Sequence, residues 1–463
     1  MLKKFSEKSI YIPLLLAIIL IYSFGIRNIG FRQPHHATFD EILYLRLGEQ
    51  LKEDPTDYIP EVDAQLKQQH RMPAYINRPI FKHPPLFPWL ISLTYLAGEA
   101  DIFGSMPAIL APLLSGILII VFTFVLAAKL YDYRVGLLAA FFLSIDPIHW
   151  ICSEKIWMET TLTLFMLLAL LFFFCGIVQS DKLLLLSGIF AGLALLTKYT
   201  GLISLISIFI FAVLFDEKLI YRRNFWFIFI IAAVIFSPWI LWNYKVYGSS
   251  FLRDMIFVHS EFYKFLNYKV LIASLSVIAA IILLLTTRLI GHRPGFKRAP
   301  FALWAVIITL FAAMALFCPS FRAAAENAFI YNRLPQTGYE IGMFAGEPWT
   351  FYFGRLLELS PLYLLSFISM VLFSLGGSRE DLLLILSASL MMFFFVIWGN
   401  YQSRYLLPVI PIFLMLAGRL VIWVWDRSNT VCRVLFLAII GYFIIKTANV
   451  DIHIALPNSV IYF

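Results

Sequence analysis

The sequence predicts an all-α polytopic membrane protein, and three observations predict it. Of 463 residues, 61% are hydrophobic and only 14% charged, more apolar surface than a soluble fold buries. Apolar runs of about 15 to 22 residues recur from end to end, matching the length a helix needs to cross a bilayer. They are too long and too uniform for barrel strands, and only helices or closed barrels satisfy their backbone groups in lipid.

The first run, Ser9 to Ile29, follows Lys3, Lys4 and Lys8 in the manner of a signal peptide, but no small-residue cleavage site closes it. It reads as a retained first span. The segment 30–104 that follows is the one long stretch of soluble-like composition. Within it FDEILYLRLGEQLKE, Phe39 to Glu53, interrupts its leucines with charge, the pattern of an amphipathic interfacial helix. Thr38 or Asp40 would cap it. Asp40 and Tyr44, four apart, would project from one face, and Glu41 is expected exposed on the polar side. Leu86 to Ala97 is apolar but too short to cross roughly 30 Å of hydrocarbon at about 1.5 Å per residue.

Further apolar segments centre near 105–128, 136–150, 159–178, 183–197, 200–215, 224–242, 270–287, 301–318, 356–376, 381–398, 404–424 and 431–448. With 10–29 they make thirteen expected spans of a single membrane domain covering 1–463. Keeping Leu86–Ala97 in the interface puts Arg288, Arg293, Lys297 and Arg298 on the side of the amino terminus. The opposite short loops then hold only Lys155, Lys198 and Arg404, so the positive-inside rule places the amino terminus in the cytoplasm and the carboxyl terminus outside. The long loops 30–104, 243–269 and 319–355 all fall on the outer face, where several loops together can build a site.

The same rule accounts for the net charge of +8, and no nucleic-acid partner is implied. Cys152, Cys175, Cys318 and Cys432 show no metal-ligand spacing. The chain has no N-x-Ser/Thr sequon, heptad array or clear internal repeat. This argues against the endoplasmic reticulum and for a prokaryotic plasma membrane.

Five short signals stand at predicted outer helix ends: Asp40-Glu41-x-x-Tyr44, Lys82-His83-Pro84-Pro85, Glu154 with Glu159, Leu196-Thr197-Lys198-Tyr199 and Arg404-Tyr405-Leu406-Leu407-Pro408. They set acids and bases at one depth. Each residue also has a plain structural role open to it: Asp40 a helix cap, Tyr44 an interfacial anchor, Lys82 and Lys198 snorkelling cations, His83 an extended residue before proline, Glu159 half of a structural pair. Glu154 and Lys155 read as solvated loop residues. Arg404, whose planar fork suits phosphate oxygens, is the strongest cation, and Tyr405 is its neighbour. Pro408 and Pro411 would kink the span after it.

In order and spacing these pieces resemble the GT-C superfamily of membrane glycosyltransferases, in the branch of protein O-mannosyltransferases and aminoarabinose lipid A transferases. The resemblance runs through nearly the whole chain: the DExxY after the first span, HPPLFPWL, the acid opening the 159–178 span, Gly192-Leu-Ala-Leu-Leu-Thr-Lys198 and RYLLPVIP. It implies transfer of a sugar from a polyprenyl phosphate in the membrane to a protein, lipid or glycan acceptor at the outer face. It maps the acceptor-serving acid onto Asp40, which as base would take the acceptor proton in an inverting attack. Tyr44, Glu159 and Tyr405 would line the substrates, and Lys82, His83, Lys198 and Arg404 would meet the leaving phosphate.

Three positions depart from the pattern. Aminoarabinose transferases place an Arg before the tyrosine of the first motif and a Lys before the two prolines, where this chain has Leu43 and His83; Glu159 stands where Asp is common. His83 could instead ligate a divalent metal with Glu159 or another acid, so metal dependence stays open. Two other classes compete: a lipid or solute transporter or flippase, marked by repeated halves and mid-membrane charges, and an accessory membrane protein whose loops bind a partner. Clustering of charge at one face favours the enzyme.

Overall fold

The computed structural model describes residues 11–31, 38–62, 64–69, 79–81, 83–96, 106–249, 251, 351–398 and 402–455. The expected spans 270–287 and 301–318, and Lys82, lie outside the described residues. Among those described, every regular element is helical, and the protein is a polytopic membrane protein.

Helix α1 (Tyr11–Phe31) precedes α2 (Phe39–Glu53), the short α3 (Ala64–Gln69) and α4 (Leu86–Thr94). Thr38 caps α2 in a capping box: its hydroxyl accepts from the Glu41 amide, and the Glu41 carboxylate accepts from the Thr38 amide at 2.8 Å. Between them α2 and α4 bury Leu43, Leu47, Phe87 and Ile91 in a small core of their own. The helices approach closely at Gly48, where a Cβ would stand 2.6 Å from Cγ2 of Ile91. At nine residues, α4 stays short of a span, as its sequence predicts.

The main core begins with α5 (Met106–Leu130), α6 (Tyr133–Ser144) and α7 (Pro147–Glu154). A single span over 136–150 was expected, but α6 and α7 meet at a bend of 61°. The cause is local: Pro147 has no amide to donate and disfavours helix at the residue before it, while Asp146 caps α7 by accepting from the His149 amide at 2.9 Å. Helix α8 (Glu159–Val178) matches its predicted span residue for residue. It packs on α9 (Leu183–Thr197), which packs in turn on α11 (Arg223–Tyr247). Gly188 and Gly192, four apart, let α9 and α11 touch: a Cβ on Gly188 would come within 2.7 Å of the Ile228 carbonyl. Between them runs α10 (Leu202–Phe215).

The described carboxyl-terminal part contains α12 (Phe351–Leu359), α13 (Leu362–Gly376), α14 (Arg379–Trp398), a 3₁₀ segment Ser403–Val409, α15 (Ile410–Arg427) and α16 (Thr430–Ala455). Pro361 divides the expected 356–376 span into α12 and α13. Pro408 lies inside the tight 3₁₀ turn rather than kinking a continuous helix.

Among the described residues, five helices are long and apolar enough to cross a membrane, or six if α6 and α7 form one broken span. Four described apolar runs fold as shorter helices, among them Leu183–Thr197 and Leu362–Gly376. Prolines and caps shorten several of the described runs, as at Pro147 and Pro361.

Candidate functional site

One end of the bundle gathers the first turn of α2, the turn before α4, the link from α7 to α8, the carboxyl end of α9 and the 3₁₀ segment Ser403–Val409. Asp40 stands in the first turn of α2 beside Arg404, with Oδ2 accepting from Nη2 at 2.5 Å. The pair is largely withdrawn from solvent, the side chains being 16% and 7% exposed. Nε of Arg404 donates to Oε1 of Gln402 at 2.7 Å, and its guanidinium lies over the Trp157 ring at 4.5 Å and the Tyr405 ring at 5.3 Å. A planar cation is thus fixed on two edges and two faces, which an ammonium could not match.

Beside it Lys198, released from α9 as its carboxyl cap, pairs with Glu159 at the start of α8: Nζ to Oε1 is 2.9 Å. Nζ also sits 4.4 Å from the centre of the Tyr405 ring. Tyr405, stacked on Phe395, therefore separates and contacts both cations. On the other flank the Tyr44 phenol and Nδ1 of His83 share a hydrogen bond at 3.2 Å. The hydroxyl of Tyr58 donates to the His83 carbonyl at 2.9 Å, and that of Tyr199 to the Phe81 carbonyl at 2.6 Å, fixing the turn that carries His83.

Burial raises the Tyr44 phenol well above its ordinary range, and the carboxylates of Asp40 and Glu159 push it further. Tyr44 is therefore a neutral phenol at physiological pH. Every other charge here has an opposite neighbour, as buried charge requires. The arrangement offers two cations and two carboxylates flanked by aromatic rings, suited to an anion and a hydroxyl nucleophile side by side.

Seven of the eight sequence-derived site residues come together: Asp40, Tyr44, His83, Glu159, Lys198, Arg404 and Tyr405. Lys82 lies outside the described residues. Leu43 is fully buried in the α2–α4 core. Among the described residues no three His, Cys, Asp or Glu side chains cluster as a metal site; Nδ1 of His83 shares its hydrogen bond with the Tyr44 phenol.

Glu41 corrects the expectation of an exposed side chain. It is 1% exposed, completes the capping box of α2, accepts from the Ile156 amide at 3.1 Å and lies 3.9 Å from Nζ of Lys155. It is the clasp between α2 and the α7–α8 link. Glu41→Ala should therefore destabilise the protein by about 3 kcal/mol, since it strands buried amides that a carboxylate now holds. Thermal unfolding in detergent measures this, and a native melting profile would rule the clasp out. Glu154 is likewise half-buried, not solvated, and accepts from the Trp150 indole.

Two site residues escaped sequence reasoning. Trp157 covers Arg404 and donates from Nε1 to Oγ1 of Thr38 at 3.1 Å; Gln402 orients the same guanidinium. Two signals are visible: an aromatic two residues before the acid that opens a span, and an amide two before an arginine.

Fold and site together define a helical membrane protein with its charged residues collected at one end of the bundle, a fold it shares with the solved structures of ArnT and AglB. Residues 82–242 match the family model described as dolichyl-phosphate-mannose-protein mannosyltransferase. The chain is similar in structure to ArnT from Cupriavidus metallidurans in the apo state, with a TM-score of 0.57 and 16% identity over 92% of this chain and 61% of that one. ArnT bound to undecaprenyl phosphate gives 0.55 and 16%, over 93% and 63% of the two chains. The oligosaccharyltransferase AglB from Archaeoglobus fulgidus, in complex with an inhibitory peptide and a dolichol-phosphate, gives 0.61 and 15%, over 97% and 56%. The chain thus spans less than two thirds of the length of these proteins. No curated protein sequence matches it.

Proposed function

We propose that this protein transfers a sugar from a polyprenyl-phosphate donor to a hydroxyl-bearing protein, lipid or glycan acceptor at the extracytoplasmic face of the membrane. The observation that carries the reading is the Asp40–Arg404 pair, a candidate base and a phosphate-matching cation in contact, with the Trp157 ring against the guanidinium. The neighbouring Lys198–Glu159 pair repeats that chemistry.

The donor keeps its tail among the helices and brings its phosphate to the interface, where the cations stand. Its phosphate competes with Asp40 for the guanidinium of Arg404 and with Glu159 for Lys198. As Arg404 turns to the phosphate, Asp40 becomes available to the acceptor. The acceptor oxygen then attacks the anomeric carbon while its proton passes to Asp40, and the carbon–oxygen bond to phosphate breaks. Polyprenyl phosphate leaves with its charge held by Arg404 and Lys198, and the anomeric configuration inverts. Tyr44 and His83 orient the sugar or acceptor by hydrogen bonds, and Lys82 is a further candidate cation for the phosphate.

Purified protein incubated with labelled polyprenyl-phosphate sugars and a membrane extract should move label to an acceptor. No transfer or hydrolysis with any such donor, alongside a positive lipid-transport assay, would replace the enzyme reading with the flippase.

A further inference from the structure

A second polar cluster lies within the bundle, apart from the site and unused by the chemistry above. Arg27 of α1 is completely buried. One Nη donates to the Ser23 carbonyl at 3.0 Å, and the other reaches Nδ1 of His149 at 2.6 Å. Nε2 of His149 meets the Gly116 carbonyl of α5 at 3.1 Å. A guanidinium only donates and a carbonyl only accepts, so His149 is the neutral tautomer with its proton on Nε2. The His149 amide donates to Asp146 at 2.9 Å, and the other Asp146 oxygen accepts from the Tyr363 hydroxyl of α13. Three elements, α1, α5 and α13, are thereby tied to the bend between α6 and α7.

Everything α7 carries onward belongs to the site. Its end leads directly to Ile156, whose amide holds Glu41, and to Trp157, which covers Arg404 and bonds Thr38. Cys152, on α7 between the clusters, is within electrostatic reach of Asp146 on one side and of Glu159, Arg404 and Lys198 on the other. The fit is tight as well: a Cβ on Gly116 would collide with the Ser153 side chain. A charge held so deep among helices is costly and needs a reason beyond packing.

We propose that Arg27, His149, Asp146 and Tyr363 form a latch that sets the pitch of α7 and so the position of Trp157 against Arg404. They are positioning residues, and their effect on rate rests on the transfer reading above; their effect on α7 does not. Catalysis tolerates little misplacement of a group that holds charge in place.

The test uses the full chain in membranes. Tyr363→Phe deletes one hydroxyl, and His149→Gln exchanges the ring for an amide. Each should lower kcat/KM for the donor about tenfold, with acceptor KM within about twofold of native. Tyr363→Phe should add no further loss to Trp157→Leu, because both act through one contact. Independently of activity, amide hydrogen exchange in peptides covering 155–160 should quicken in Tyr363→Phe. Native exchange in that segment, a native kcat/KM for the donor in Tyr363→Phe, or losses that multiply with Trp157→Leu would overturn the latch. A native chain that transfers nothing would sink the transfer reading instead, with exchange still deciding the latch.

Discussion

Asp40→Asn should reduce transfer by about 10³-fold, the range expected when a positioned base loses its ability to take a proton. The substitution is close to isosteric, and the amide oxygen can still accept from Nη2 of Arg404, so the contact now made at 2.5 Å need not collapse. What disappears is the negative charge. Arg404 is then held less firmly, and affinity for polyprenyl phosphate should stay native or tighten. Transfer measured in a single turnover, beside direct binding of undecaprenyl phosphate, separates the two effects. A variant with full transfer activity would remove Asp40 from the chemistry. Loss of both binding and transfer would reassign it to folding the site.

Arg404→Lys should raise the donor KM about 10²-fold, corresponding to about 3 kcal/mol. Charge is conserved, so a purely Coulombic role would leave the enzyme nearly native. The site uses more than charge: one edge of the guanidinium meets Asp40, another meets Gln402, and its faces lie against Trp157 and Tyr405. An ammonium cannot reproduce a fork or a stacked plane, and charged, bidentate hydrogen bonds to phosphate are the strong ones. Initial rates at saturating acceptor test this. An unchanged donor KM would move phosphate binding to Lys198 and the residues around it. A truncation such as Arg404→Ala is less informative, because it leaves Asp40 buried without its counter-charge and is expected to unfold the site.

Much of this site was legible in the sequence. Asp40, Tyr44, His83, Glu159, Lys198, Arg404 and Tyr405 all stand at junctions where an apolar run meets polar residues, and such junctions are visible in one dimension. Glu41 was misjudged for a related reason. Helical periodicity places it on the polar side of α2, but Ile156, 115 residues away, folds its amide against that side. Trp157 and Gln402 were passed over because an indole and an amide beside a span are ordinary until a guanidinium arrives between them. The broken span at Asp146–Pro147 carried its own signal, a capping acid before a proline, which the surrounding apolar run masked.

Hydropathy and charge by themselves determined that this chain is helical, lies in a membrane, and carries its reactive side chains near helix ends. Those properties are additive along the chain, since each segment's preference for lipid depends on its own residues. Only the tertiary structure decided which acid meets which base. Asp40 and Arg404 are 364 residues apart, Glu159 and Lys198 are joined across a helix turnaround, and Arg27 reaches His149 from a different span. Such pairings arise because buried charge must find a counter-charge or a dipole, and the choice of partner depends on helix packing and on where prolines and caps break the helices.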